Sequence, residues 1–172
     1  MNNKQITLAT LVLNLMYEYQ EKHNITKECI TNAQYLFDTL KFSKVNVKVV
    51  AKYVICIGKD KVISTFPGHL VLMVYDKIIE PSFEVGQFDN RQYYDNIVDF
   101  MKDSDKILSI VSCKTMFNDK IIDSKNIKYN SLKAYLEFVN FANDINNGDI
   151  LVGHKKYYNA QADYVESIML KL

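Results

Sequence analysis

Between Ile6 and Glu21 the apolar side chains fall at Leu8, Leu11, Val12, Leu15, Met16 and Tyr19, the spacing of a helix with one face turned to a core. His23-Asn24-Ile25 breaks the pattern. A second helix is predicted from Thr26, a good N-cap residue, to about Lys41, with Cys29, Ile30, Ala33, Leu36, Phe37 and Leu40 as its apolar stripe. The pattern then changes. Val45 to Ile57 is rich in β-branched residues and reads as a strand, Gly58 to Lys61 as a turn, and Val62 to Thr65 as a short strand. Phe66-Pro67-Gly68 reads as a second break, and His69 to Tyr75 as a buried strand. A tight turn at Asp76-Lys77 returns the chain through Ile78, Ile79 and Glu80 until Pro81 ends the pairing.

Beyond Pro81, Arg91 to Lys102 reads as helical through Tyr94, Ile97, Val98 and Met101, and Ile107 to Cys113 as a further strand. Ser131 to Asn146 is predicted as a helix through Leu132, Tyr135, Leu136, Val139, Ala142 and Ile145, stopped by Gly148. Tyr157 to Leu172 is predicted as the last helix, with Val165, Ile168, Met169 and Leu172 inward. Helices, an antiparallel sheet of three or four strands, then helices again make an α+β class. No repeat and no Pro/Gly/Ser linker interrupts the 172 residues, so a single domain spanning 1–172 is expected.

Charge narrows the partners. Lys plus Arg is 21 against 20 Asp plus Glu, so no bulk field favours nucleic acid or an anionic membrane. No apolar run approaches the ~20 residues of a membrane span. Asn14 interrupts the run from Leu8 to Met16, and Glu18, Glu21 and Lys22 follow where a secretory leader would have its cleavage site. The expectation is an intracellular, cytoplasmic protein. Cys29, Cys56 and Cys113 are odd in number and widely spaced, which is neither a disulfide framework nor a zinc pattern. Each is therefore a buried hydrophobe or a reactive thiol. Arg91 is the only arginine beside 20 lysines, and Asn, Ile and Tyr are abundant, a bias expected of an A/T-rich genome such as that of a large DNA virus, a phage, a low-GC bacterium or a protozoan.

Candidate chemistry begins at Cys29. With Thr26 as N-cap it lies at N3, where free backbone N–H groups and the helix dipole stabilise a thiolate. Cys56 lies in a strand and Cys113 beside Lys114. A thiol nucleophile needs a base. His23 lies between helices and His154 in a surface stretch with the solvated Lys155-Lys156, whereas His69 heads an apolar strand and alternates with Val71, Met73 and Tyr75. In a hairpin the face of His69 also carries Glu80, Ser82 and Glu84. A two-residue loop at Asp76-Lys77 places Glu84 opposite His69; a turn one residue earlier places Ser82 opposite and Glu80 diagonal. The tyrosines at 93, 94, 157, 158 and 164 read as core rim.

A cysteine at a helix start, a histidine heading a strand, and an acid followed by Pro and Ser together resemble the papain-like cysteine protease superfamily, nearest its transglutaminase-like branch. The matching stretches are Cys29 to Leu40 and His69 to Ser82, with Gln87-Phe88 following; the resemblance covers Thr26 to Phe88, roughly a third of the chain. Glu80 stands where that family more often has Asp, Leu70-Val71 where it often has an aromatic, and Glu28 where Gly commonly precedes the cysteine. The resemblance implies a papain-like fold and acyl transfer on a protein or peptide amide, with Cys29 as nucleophile, His69 as base and Glu80 as orienting acid. Glu84 is the alternative acid. The Cys29 backbone N–H is implied as an oxyanion donor, with Asn24 or Gln20 as side-chain candidates. Water as acceptor gives a protease or amidase, and an amine gives a transglutaminase. No cofactor and no metal is expected, since no ligand spacing accompanies Cys29 and His69. The alternative is a non-catalytic α+β interaction protein of viral or phage origin.

Overall fold

Asn2 starts the first helix. Its side-chain oxygen accepts from Gln5 N at 2.9 Å and Gln5 Oε1 accepts from Asn2 N at 3.0 Å, a reciprocal cap that satisfies two of the amides a helix start leaves bare. The structure is a computed structural model that describes residues 1–58, 62–111, 124–149 and 153–172. Helices α1 (Asn3–Lys22) and α2 (Cys29–Phe42) lead into strands β1 (Val47–Ile57), β2 (Val62–Val74) and β3 (Lys77–Ile79). A single turn α3 (Phe83–Gly86) precedes β4 (Asn90–Tyr94), and helices α4 (Ile97–Val111), α5 (Ser124–Asn146) and α6 (Lys155–Met169) follow. The class is α+β, with an antiparallel sheet in the order β3-β2-β1-β4. Among the described residues, no helix is long and apolar enough to cross a membrane.

Three helices stop by the same device. Asn24, Lys44 and Gly148 take left-handed φ values of 52°, 61° and 76°, just after α1, α2 and α5. The next amide in each case reaches back to a carbonyl five residues earlier: Ile25 to Gln20, Val45 to Leu40 and Asp149 to Asp144. These bonds satisfy carbonyls that a helix end otherwise leaves open.

The contacts fall into two units. The first comprises Met1–Val50, Leu70–Gln87 and Phe141–Leu172, and the second Ala51–His69 and Phe88–Asn140. In the first unit α1 and α2 both pack on α6, and α1 also packs on α2 and α3. Val12, Met16, Leu36, Leu40, Leu70, Leu72 and Val165 are buried there. Asn146 closes α5 onto β1 through both of its amide atoms, with Oδ1 accepting from Val49 N at 2.7 Å and Nδ2 donating to Val49 O at 2.8 Å. In the second unit Tyr53, Ile55, Phe100 and Met101 form a core cluster joined by Ile57, Tyr94, Ile97 and Tyr135. Tyr53 is stacked between neighbours there, 4.3 Å from Tyr135 and 4.9 Å from Phe100 between ring centroids. Lys52 pairs with Asp95 at that unit's surface.

Several elements differ from the sequence expectations. Phe66-Pro67-Gly68 does not break the strand, because β2 runs through it. β3 pairs with Leu72 to Val74, so Pro67 lies outside that ladder. Gly68 is needed for close approach: a Cβ there would lie 2.3 Å from Phe138 Cδ2 and 3.1 Å from the Ala134 carbonyl. The hairpin turns at Tyr75-Asp76 rather than Asp76-Lys77, with Val74 paired to Lys77 and Tyr75 at φ 55°. Arg91 to Tyr94 is strand, pairing Tyr53 with Tyr94 and Cys56 with Arg91, and the helix starts only at Ile97. Its start is set by Asn96, whose Oδ1 accepts from Asp99 N at 2.9 Å while Nδ2 donates to Asp99 Oδ2 at 2.9 Å. Ile107 to Val111 continues that helix and is not a strand.

Among the described side chains of α5 the buried ones are Ser131, Ala142 and Ile145, whereas Leu132 and Leu136 are exposed. Leu172 lies past the end of α6 and is exposed rather than inward. Cys113 and the turn residues 59–61 lie outside the described residues.

Gly68→Ala is expected to destabilise the protein by about 1–3 kcal/mol through overpacking against Phe138. Urea unfolding should show a lower midpoint at unchanged slope.

Candidate functional site

Cys29 is the first residue of α2, two positions earlier in the helix than Thr26 as N-cap would make it. The reason lies in the preceding loop. Lys27 takes a left-handed φ of 59°, which no helix tolerates, and its amide donates to Glu84 Oε2 at 2.9 Å. The helix therefore begins only after Glu28. Cys29 is half-buried, whereas Cys56 on β1 is fully buried, so of the two cysteines described Cys29 is the one within reach of solvent. Glu84 thus braces the loop that delivers Cys29, and the exposed Asn24 is the left-handed residue that ends α1.

Glu28 is the N-cap residue of α2, but its carboxylate caps no amide. It accepts from Thr31 Oγ1 at 3.0 Å and lies 3.3 Å from His154 Nδ1. Thr31 Oγ1 in turn accepts from His154 N at 2.8 Å. Gly153 allows this approach, since a Cβ there would meet Thr31 Oγ1 at 2.1 Å. The negative charge beside Cys29 is therefore partnered locally. The His154 ring is 59% exposed, as its surface setting predicts, yet its backbone ties the start of α6 to the first turn of α2.

His69 and Glu80 are both buried, at 2% and 3% exposure. His69 stands on β2 with the Phe66 ring 5.7 Å away. Glu80 follows β3 directly. Its Oε2 accepts from Ser82 N at 3.1 Å across Pro81, and its carbonyl accepts from Tyr17 Oη at 2.6 Å. Cys29 and Glu80 belong to the first unit, and His69 is the last β2 residue assigned to the second.

Behind Cys29 and Glu80 lies a polar cluster that no sequence motif announced. Gln20 Nε2 donates to Gln161 Oε1 at 2.9 Å, Gln161 Nε2 to Asn32 Oδ1 at 3.4 Å, and Asn32 Nδ2 to Gln20 Oε1 at 3.4 Å. Three side-chain amides from α1, α2 and α6 thus close a ring at 1%, 2% and 0% exposure, where an apolar core would be cheaper. Backbone groups set the ring's sense: Gln20 Oε1 accepts from Phe83 N at 2.7 Å and Nε2 donates to the Pro81 carbonyl at 3.0 Å. Both Gln20 amide hydrogens are therefore engaged, which leaves none for an oxyanion. Tyr157 Oη donates to Asn32 Oδ1 at 2.7 Å. Burial, with added repulsion from Glu28 and Tyr19, pushes the Tyr157 phenol far above its ordinary pKa, so it remains a donor at every working pH.

A sequence signal for this ring exists. Gln20 stands one turn after Met16, Asn32 one turn before Leu36 and Gln161 one turn before Val165, each on a buried apolar stripe. Among the described residues no three His, Cys, Asp or Glu side chains are grouped as a metal ion would require. No protein-family model matches the chain, no curated protein matches its sequence and no solved structure matches its fold.

Tyr157→Phe leaves Asn32 Oδ1 without its nearest donor. The expected cost is about 1–3 kcal/mol, measured by urea unfolding.

Proposed function

We propose that this chain is a cysteine-dependent acyl-transfer enzyme of papain-like, transglutaminase-like type, acting on protein or peptide amides, with Cys29 as nucleophile, His69 as base and Glu80 as orienting acid. The observation that carries the reading is the placement of three ionisable groups. A half-exposed thiol opens α2, while a buried imidazole and a buried carboxylate stand on β2 and just past β3. Buried ionisable groups are costly, and a functional site is a common reason to keep them.

In this mechanism the first-turn amides of α2 favour negative charge at the Cys29 sulfur. The thiolate attacks the substrate carbonyl, and the oxyanion that forms takes the Cys29 backbone N–H as a donor. His69, protonated by the thiol, gives its proton to the leaving amine as the C–N bond breaks, and a thioester remains on Cys29. His69 then removes a proton from water or an acceptor amine, which attacks the thioester and restores the thiol. Glu80 holds the imidazole in the tautomer and orientation that both transfers need.

Alkylation by iodoacetamide near pH 6.5, about two units below the ordinary thiol value, tests the reading. Cys29 in the folded protein is expected to react at least about tenfold faster than a free thiol, and His69→Ala is expected to remove that excess. A wild-type rate no faster than that of free cysteine, unchanged by His69→Ala, contradicts the proposal and leaves the interaction-protein alternative.

A further inference from the structure

Glu80, Pro81 and Ser82 lie between β3 and α3, outside any strand or helix. Yet every residue from Glu80 to Phe83 is bonded by α1 or α2. Tyr17 Oη donates to the Glu80 carbonyl at 2.6 Å and Gln20 Nε2 to the Pro81 carbonyl at 3.0 Å. Asn32 Nδ2 donates to Ser82 Oγ at 3.0 Å, and Gln20 Oε1 accepts from Phe83 N at 2.7 Å. The Gln20 carboxamide serves both Pro81 O and Phe83 N, because it holds a donor and an acceptor side by side. A leucine there would fill the volume and leave both backbone groups bare. Asn32 lies three residues after Cys29, within the first turns of the same helix.

We infer that Gln20 and Asn32 are positioning residues: the buried amide ring keys the segment bearing the Glu80 carboxylate to the helix that begins at Cys29. The inference rests on the reading of Cys29, His69 and Glu80 as the acyl-transfer group. Misplacement of an orienting group by an ångström is enough to cost two orders of magnitude in rate. A segment without helix or ladder bonds needs such an external frame. The ring supplies it with neutral groups, which add no charge of their own beside the carboxylate.

The test is the pH profile of Cys29 alkylation in variants shown to be folded by circular dichroism. Glu80→Gln is expected to alter the profile and to slow the reaction near neutral pH. Asn32→Ala and Ser82→Ala are expected to reproduce that altered profile, with rates on the order of ten- to a hundred-fold below wild type. The double variant Asn32→Ala/Glu80→Gln should be no slower than Glu80→Gln alone, as for groups acting in one chain. If Asn32→Ala does not fold, Ser82→Ala and the conservative Tyr17→Phe carry the same comparison. Variants that melt earlier but keep the wild-type profile overturn the positioning role while the effect of Glu80→Gln preserves the triad reading. A Glu80→Gln profile identical to wild type overturns both.

Discussion

The arrangement of the first unit depends on a ring of three side-chain amides, Gln20, Asn32 and Gln161, closed by direct hydrogen bonds where α1, α2 and α6 meet. A partly satisfied polar group in a core costs more than an apolar one, so such a ring is stable only when every donor and acceptor is used. Here they are. The two hydrogens of Gln20 reach Gln161 and the Pro81 carbonyl, and those of Asn32 reach Gln20 and Ser82. The Tyr157 phenol adds a donor to Asn32 that cannot ionise at working pH. Apolar packing alone is tolerant of small shifts and substitutions, whereas a closed hydrogen-bond circuit specifies one relative placement of three helices.

The loop before Cys29 uses the opposite device, local strain. Asn24 and Lys27 both take left-handed backbone conformations within four residues of each other, and neither is glycine. Such conformations persist only where surrounding bonds hold them. The first is held by the helix-ending bond of Ile25 to Gln20, and the second by Glu84. The chain thereby reaches α2 late, and the half-exposed thiol stands on the helix's opening residue instead of two positions further in. Glu28, whose charge alone would oppose an anionic sulfur, shares its carboxylate with Thr31 and His154.

What was legible in the sequence follows the range of the signal. Helical periodicity located α1, α2, α5 and α6, and β-branched runs located β1 and both arms of the hairpin, because burial of one face is written locally. The end of α2 and the arrival at α6 were legible for the same reason. Boundaries set by tertiary partners were not. Thr26 is a good cap in isolation, but Lys27 is pulled out of helical space by Glu84, 57 residues away. Pro67-Gly68 looks like punctuation until Phe138 is seen packed against the glycine. The Asn96-x-x-Asp99 cap was readable and would have separated β4 from α4; the apolar spacing through Tyr94 and Ile97 obscured it. Cys29, His69 and Glu80 stand out in the sequence by residue type, although β2 runs through His69 instead of starting there. The amides that surround Glu80 carried a signal of position only, on apolar helix stripes, since Gln and Asn in a helix ordinarily face solvent.

The proposed acyl transfer requires that Cys29 carry an acyl group. Incubation with an activated ester such as p-nitrophenyl acetate, followed by peptide mass spectrometry, measures this directly. A burst of p-nitrophenol close to one equivalent per chain is expected, with the acetyl group on Cys29 and no burst from Cys29→Ser. Ester cleavage at the same rate in wild type and Cys29→Ser, or acetyl spread over lysines with none on Cys29, would contradict it.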